Sequence, residues 1–123
     1  MKKKSNKKIL WFTDPVYCLD YCVVMVPTHK EFIQIAKKEV GFDVEPCPNI
    51  SGEFHGLTNN KYPDLALVWT SDKDLNLTHE LFHATTWVLR NRSIYLTADT
   101  EETFAYYLCY LIRTVKNFIK YGL

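Results

Sequence analysis

With 123 residues, 47% of them hydrophobic and 15% aromatic, the chain is sized for one folded domain with a real core and no room for a second. A net charge of +1 argues neither for nucleic acid nor for an anionic membrane surface, and neither is expected as a partner. No apolar run approaches membrane-spanning length, and the one at 9–12, behind Lys2, Lys3, Lys4, Lys7 and Lys8, is too short for a secretory signal. The expectation is a flexible basic N-terminus over residues 1–8, a single domain over 9–123 and an intracellular location. Cys18, Cys22, Cys47 and Cys109 are then expected as free thiols.

Residues 9–13 and 21–26 are β-branched and aromatic runs separated by Asp14-Pro15, which predicts two strands and a turn. Thr28 opens a helix to about Val40. Thr28 and Glu31 have capping-box spacing, Phe32, Ile35, Ala36 and Val40 form the apolar set, and Gly41 is the stop. Pro46, Pro48, Gly52, Gly56 and Asn59-Asn60 make 43–60 mostly loop, with a short strand near 53–57. The run Leu65-Ala66-Leu67-Val68-Trp69-Thr70 is the strongest strand signal. Ser71, Asp72 or Asp74 then caps a helix to about Asn91, and a last long helix runs from Asp99 to about Tyr121. Strands and one helix followed by a strand and two helices predict an α+β fold.

The helix over 71–91 carries His79-Glu80-Leu81-Phe82-His83, an HExxH motif. Histidines four residues apart project from one helical face and can bind a single cation. Glu80, about 100° away round the helix, is placed to reach a water on that cation. Leu77, Leu81, Ala84, Thr85 and Val88 fill a wide core face, while His79, His83, Thr86 and Arg90 form a narrow stripe. Between Asp74 and Arg90 the only formal charge is Glu80, so the helix reads as buried nearly all round except for the imidazoles and that carboxylate. A divalent cation would compensate for burying such groups.

A catalytic zinc takes three protein ligands and an open position. No third histidine follows the motif, and His29 and His55 precede it. Downstream candidates are Asp99, Glu101 and Glu102. Glu102 is preferred over Glu101 because it shares a face with Ala105, Tyr106 and Cys109, whose small members would let the last helix approach the metal helix, whereas Glu101 lies beside the core face of Phe104, Leu108, Leu111, Val115 and Phe118. Glu102 also has the spacing to answer Asp99 in a capping box.

HExxH followed by Glu-x-x-Ala-Tyr at 102–106 resembles the gluzincin branch of the zincin metallopeptidases, and the run 100–106 resembles small zincin-like proteins of bacteriophages. The resemblance covers about the last 45 residues of the chain. It implies a minimal zincin-like domain: a small N-terminal sheet, a metal helix and a C-terminal helix with the third ligand. It implies Zn2+ held by His79, His83 and Glu102, with Glu80 activating the metal-bound water to cleave a peptide or related amide bond in a peptide or protein substrate. It also makes Leu65–Thr70 the edge strand along which substrate lies. Tyr106 stands where the larger gluzincins carry a carboxylate that supports a ligand histidine. Tyr106, Tyr107, His55 and Tyr95 are candidate donors to the oxyanion. The alternative is a zinc-binding interaction module of the same fold without hydrolysis, because a chain this short has little room for the far wall of a zincin cleft.

Overall fold

Two strands, Asp20–Met25 (β2) and Leu65–Thr70 (β4), run parallel through the middle of a four-stranded sheet. Lys8–Thr13 (β1) pairs antiparallel outside β2, and Gly52–Leu57 (β3) pairs antiparallel outside β4, giving the order β1-β2-β4-β3. This computed structural model describes residues 8–47, 49–58, 64–71 and 75–122. The basic tip ahead of Lys8, the prolines Pro48 and Pro63, Asn59-Asn60, and the proposed caps Asp72 and Asp74 lie outside the described residues. Lys8 itself opens β1.

The period-two alternation of the inner strands divides their side chains between two cores. Tyr21, Val23, Met25, Ala66 and Val68 pack on one face against Leu75–Arg90 (α2) and Glu101–Tyr121 (α3). Cys22, Val24, Leu65, Leu67 and Trp69 pack on the other against His29–Ile35 (α1) and the π-helical turn Ala36–Val40 that continues it. Strands covered on both faces need apolar residues at every position, so neither inner strand alternates apolar with polar. All six residues of β4 are buried. The expectation that Leu65–Thr70 is an edge strand is therefore corrected: it is interior, and β3 is the edge on that side.

The local signals explain the remaining elements. Thr28 Oγ1 accepts the Glu31 N–H at 3.2 Å, and Gly41 ends the turn after α1 with φ of 74°. Between β1 and β2, the Asp14 carboxylate accepts the N–H groups of Val16 at 2.8 Å and Tyr17 at 3.0 Å, closing an Asx-type turn. Asp14 is fully buried and also accepts the Tyr107 hydroxyl of α3 at 3.0 Å, while the Tyr107 and Tyr21 hydroxyls are bonded to each other. Burial is the main cause raising both phenol pKa values, so the two rings remain neutral struts between turn, sheet and helix. The α3 start differs from expectation. Thr100 occupies the cap position, but its hydroxyl bonds the Tyr95 carbonyl, and Asp99 donates its N–H to Thr97 Oγ1 at 3.2 Å.

Candidate metal centre

The core face of α2 is as expected, with Leu77, Leu81, Ala84, Thr85 and Val88 buried. A second face lies on the edge strand. There Gly52 and Gly56, separated by Phe54, point toward α2, and each occupies a position that a side chain would block. A Cβ on Gly52 would stand 2.8 Å from Glu80 Oε2, and one on Gly56 would stand 2.2 Å from the Trp87 ring. The two glycines let α2 settle onto β3 so that Glu80 lies under the sheet edge at 7% exposure. Sequence reasoning counted these glycines as loop formers; their signal was the two-residue alternation of Gly52, Phe54 and Gly56.

The remaining faces of α2 are open. The helix is not buried nearly all round: Leu75 is 80% exposed and Phe82 42% exposed, beside the exposed imidazoles of His79 and His83. Helix α3 leaves this flank uncovered because it packs through Phe104, Tyr107, Leu111 and Val115.

His79, Glu80 and His83 bring one ligand atom each to within 4.8 Å of one another. The two Nε2 atoms are 3.1 Å apart, and Glu80 Oε2 is 3.9 Å from His79 Nε2. Two nitrogens bound to one tetrahedral zinc at 2.0–2.1 Å would be about 3.3 Å apart, so the imidazoles have the spacing of a shared cation. The carboxylate is too far for a direct hydrogen bond with His79 and near enough to be bridged by a water. Burial raises the pKa of Glu80 above its ordinary value; the His79 and His83 imidazoles oppose that shift, and the charge of Glu53 adds to it.

The third ligand is not part of this cluster. Glu102 and Glu101 are exposed in the first turn of α3. The α3 residue that borders His79 is Leu108, which shares with Leu75, Thr78 and Phe82 a groove of about 530 Å3. Leu108 lies six residues past Glu102, about 9 Å along the helix. The packing reason for choosing Glu102 is overturned: Ala105, Tyr106 and Cys109 are all exposed, so that face of α3 does not approach α2.

The proposed oxyanion donors are scattered. Tyr107 is buried and committed to Tyr21 and Asp14. Tyr106, 73% exposed, borders a different cavity with Val16, Tyr17, Thr103, Tyr107 and Tyr110. Tyr95 borders a cavity on the far side of Phe82. His55 is on the opposite face of β3, where its Nε2 lies 2.7 Å from Glu53 Oε2. His29 Nε2 reaches the same oxygen at 3.4 Å and packs on Trp69, so both histidines outside the motif share one carboxylate. The four cysteines are free, and burial pushes the Cys22 thiol up to about 12.

No protein-family model, no curated protein and no solved structure matches this chain. Among the described residues no helix is long and apolar enough to cross a membrane.

Proposed function

We propose that this chain is a zinc-dependent hydrolase of zincin type that cleaves a peptide or related amide bond. The observation that carries the reading is the pair of exposed imidazole nitrogens 3.1 Å apart beside a buried carboxylate. A buried carboxylate beside two imidazoles that pair Nε2 to Nε2 is costly unless a cation joins them. A histidine pair on one helical turn is a donor set suited to zinc.

A zinc ion bound here supplies Lewis acidity toward a substrate carbonyl and lowers the pKa of a water molecule. His79 and His83 would hold it. Glu80 takes the proton from the attacking water and returns it to the leaving amine, a role favoured by a carboxyl whose desolvation raises its basicity. The edge strand β3 lies against the helix that carries the motif, with Gly52 directly over Glu80. Its outer edge offers backbone N–H and C=O groups to an extended peptide, the role that sequence reasoning gave to Leu65–Thr70.

Glu102 enters the ligand set from the sequence alone, so its test is a separate one. If it completes the site, Glu102→Gln lowers zinc affinity as strongly as His83→Ala; unchanged affinity removes it from the set. The second reading, a zinc-binding interaction module without hydrolysis, is favoured by one observation: among the described residues only two histidines and the carboxylate assigned as base gather at the site. Activity decides between the two. Zinc-loaded wild type that releases amine from a peptide library, with Glu80→Gln inactive, supports the hydrolase; zinc bound without turnover supports the module.

A further inference from the structure

Beyond Phe82, on the side away from the His79 groove, a cavity of about 360 Å3 opens between the second half of α2, the segment 94–96 and the start of α3. Its walls are apolar, with Phe82, Ile94, Leu96 and Phe104 contributing most of the lining. Three polar side chains interrupt them: Thr86 and the exposed Arg90 from α2, and the exposed Tyr95. The two from α2 have no protein partner among the described residues. Thr86 Oγ1 is buried without a hydrogen-bond partner, unlike Thr85, whose hydroxyl bonds the Leu81 carbonyl at 2.9 Å. The Arg90 guanidinium forms no ion pair among the described residues. An apolar cavity with a solvent-facing guanidinium free of ion pairs and a buried hydroxyl without a partner is complementary to an apolar group that ends in an anion.

We propose that this cavity binds the C-terminal residue of a peptide, with an apolar side chain held by Phe82, Ile94, Leu96 and Phe104 and the α-carboxylate held by Arg90 and Thr86. A guanidinium fork matches a carboxylate in a bidentate pair, and the buried hydroxyl can donate to one of its oxygens. The choice of a peptide end rests on the proposed hydrolase function. Arg90 is seven residues past His83 on the same stripe of α2, about 10.5 Å along the helix. Extended chain covers about 3.3–3.6 Å per residue. A peptide whose carboxylate meets Arg90 therefore lays a bond about three residues upstream beside the imidazoles. The site selects short or C-terminal peptide segments with an apolar last residue.

The test uses the full-length protein without added metal, so that its outcome is independent of hydrolysis. N-acetyl-phenylalanine, N-acetyl-phenylalaninamide and 3-phenylpropionate are titrated while NMR follows the amides of Phe82, Thr86 and Leu96. The acid is expected to bind at least about tenfold more tightly than its amide, and Arg90→Gln to abolish that preference. Thr86→Val should weaken the acid a few-fold without lowering Tm, since it removes a hydroxyl that has no partner in the free protein. N-acetyl-phenylalanine should also bind more tightly than 3-phenylpropionate, whose equal or better binding would replace the peptide end with a simple organic acid. Equal affinity for acid and amide, an unchanged preference in Arg90→Gln, or no binding of either probe at millimolar concentration would overturn the proposal. Failure of the hydrolase reading alone would appear instead as absence of zinc or of amide cleavage, with the acid preference intact.

Discussion

Two clusters of the same composition sit on opposite faces of one edge strand, and they differ in what their imidazoles are bonded to. On the α1 side of β3, His29 and His55 both direct Nε2 to a single oxygen of Glu53, at 3.4 and 2.7 Å. Their side chains are 12% and 27% exposed, and the rings pack on Trp69, Phe32 and Phe42. In that group both Nε2 atoms are taken by the carboxylate. On the α2 side, His79 and His83 face each other in solvent, and Glu80 stays 3.9 Å from the nearer ring, buried beneath Gly52. A histidine whose nitrogens are occupied by a carboxylate stabilises the fold. Two histidines turned toward each other, with a desolvated carboxylate held back, leave room for a ligand. What distinguishes the clusters is the partner of each imidazole, a carboxylate in one and the other imidazole in the other, rather than residue type.

The largest expected effect separates the clusters by metal affinity. His83→Ala should weaken zinc binding by more than about 100-fold, since loss of mere outer-shell partners already costs about 10–100-fold. His55→Ala should leave zinc affinity unchanged and lower Tm instead, a difference that metal titration and calorimetry on both variants would check.

Next is Glu80→Gln, expected to keep zinc and to reduce hydrolysis by about 10²–10⁴. Undiminished turnover in steady-state assays would remove Glu80 as the base. The same variant has a thermodynamic signature in the metal-free protein. Because the folded carboxyl has a raised pKa, the folded state holds its proton to higher pH than the unfolded state does. Stability is then lost as pH rises from the unfolded value through the folded one. Glu80→Gln should therefore raise Tm at neutral pH, and the gain should vanish below about pH 4, where the carboxyl is protonated in both states. A pH series of melting curves reads this directly.

A third test moves the edge strand. Gly52→Ala places a methyl 2.8 Å from Glu80 Oε2 and must displace the carboxylate or the strand. The expected cost is about 1–3 kcal/mol of stability by denaturant unfolding, accompanied by loss of turnover with zinc retained. Gly56→Ala, set against the Trp87 ring, should cost stability at least as great with a smaller effect on turnover per bound zinc. The smallest effect is expected from Glu53→Gln. It weakens the charge-assisted bonds to His29 and His55, costs about 1 kcal/mol in denaturant unfolding and leaves zinc binding intact.

Much of this architecture was legible in the chain because local signals agreed with the final packing. The Thr28 cap, the Gly41 stop and the core face of α2 are each set by residues within a turn or two of one another. The HExxH pairing is equally local, since both imidazoles belong to one helix. Relations between distant segments were harder to read. Leu65–Thr70 carried its answer in its unbroken apolar run, which means burial on both faces, yet resemblance suggested an edge. The inward face of α3, with Phe104, Leu111 and Val115, is as expected, but the face of Glu102, Ala105, Tyr106 and Cys109, expected to approach α2 through its small side chains, is exposed. No spacing rule shows that Glu53 would gather His29 and His55, because the group exists only once α1 lies beside β3. The roles of Asp14 and Tyr107 are hidden in the same way, since 93 residues separate two groups that meet in the core.

The central claim is that the paired imidazoles of α2, and not the carboxylate-bound pair on the other face of β3, hold a metal. The most direct measurement is zinc stoichiometry and affinity in purified wild type, His83→Ala and His55→Ala, each shown to be folded. The account predicts close to one zinc per chain in wild type and His55→Ala, and none in His83→Ala. Folded wild type that takes up no zinc, or zinc lost in His55→Ala and kept in His83→Ala, would contradict it.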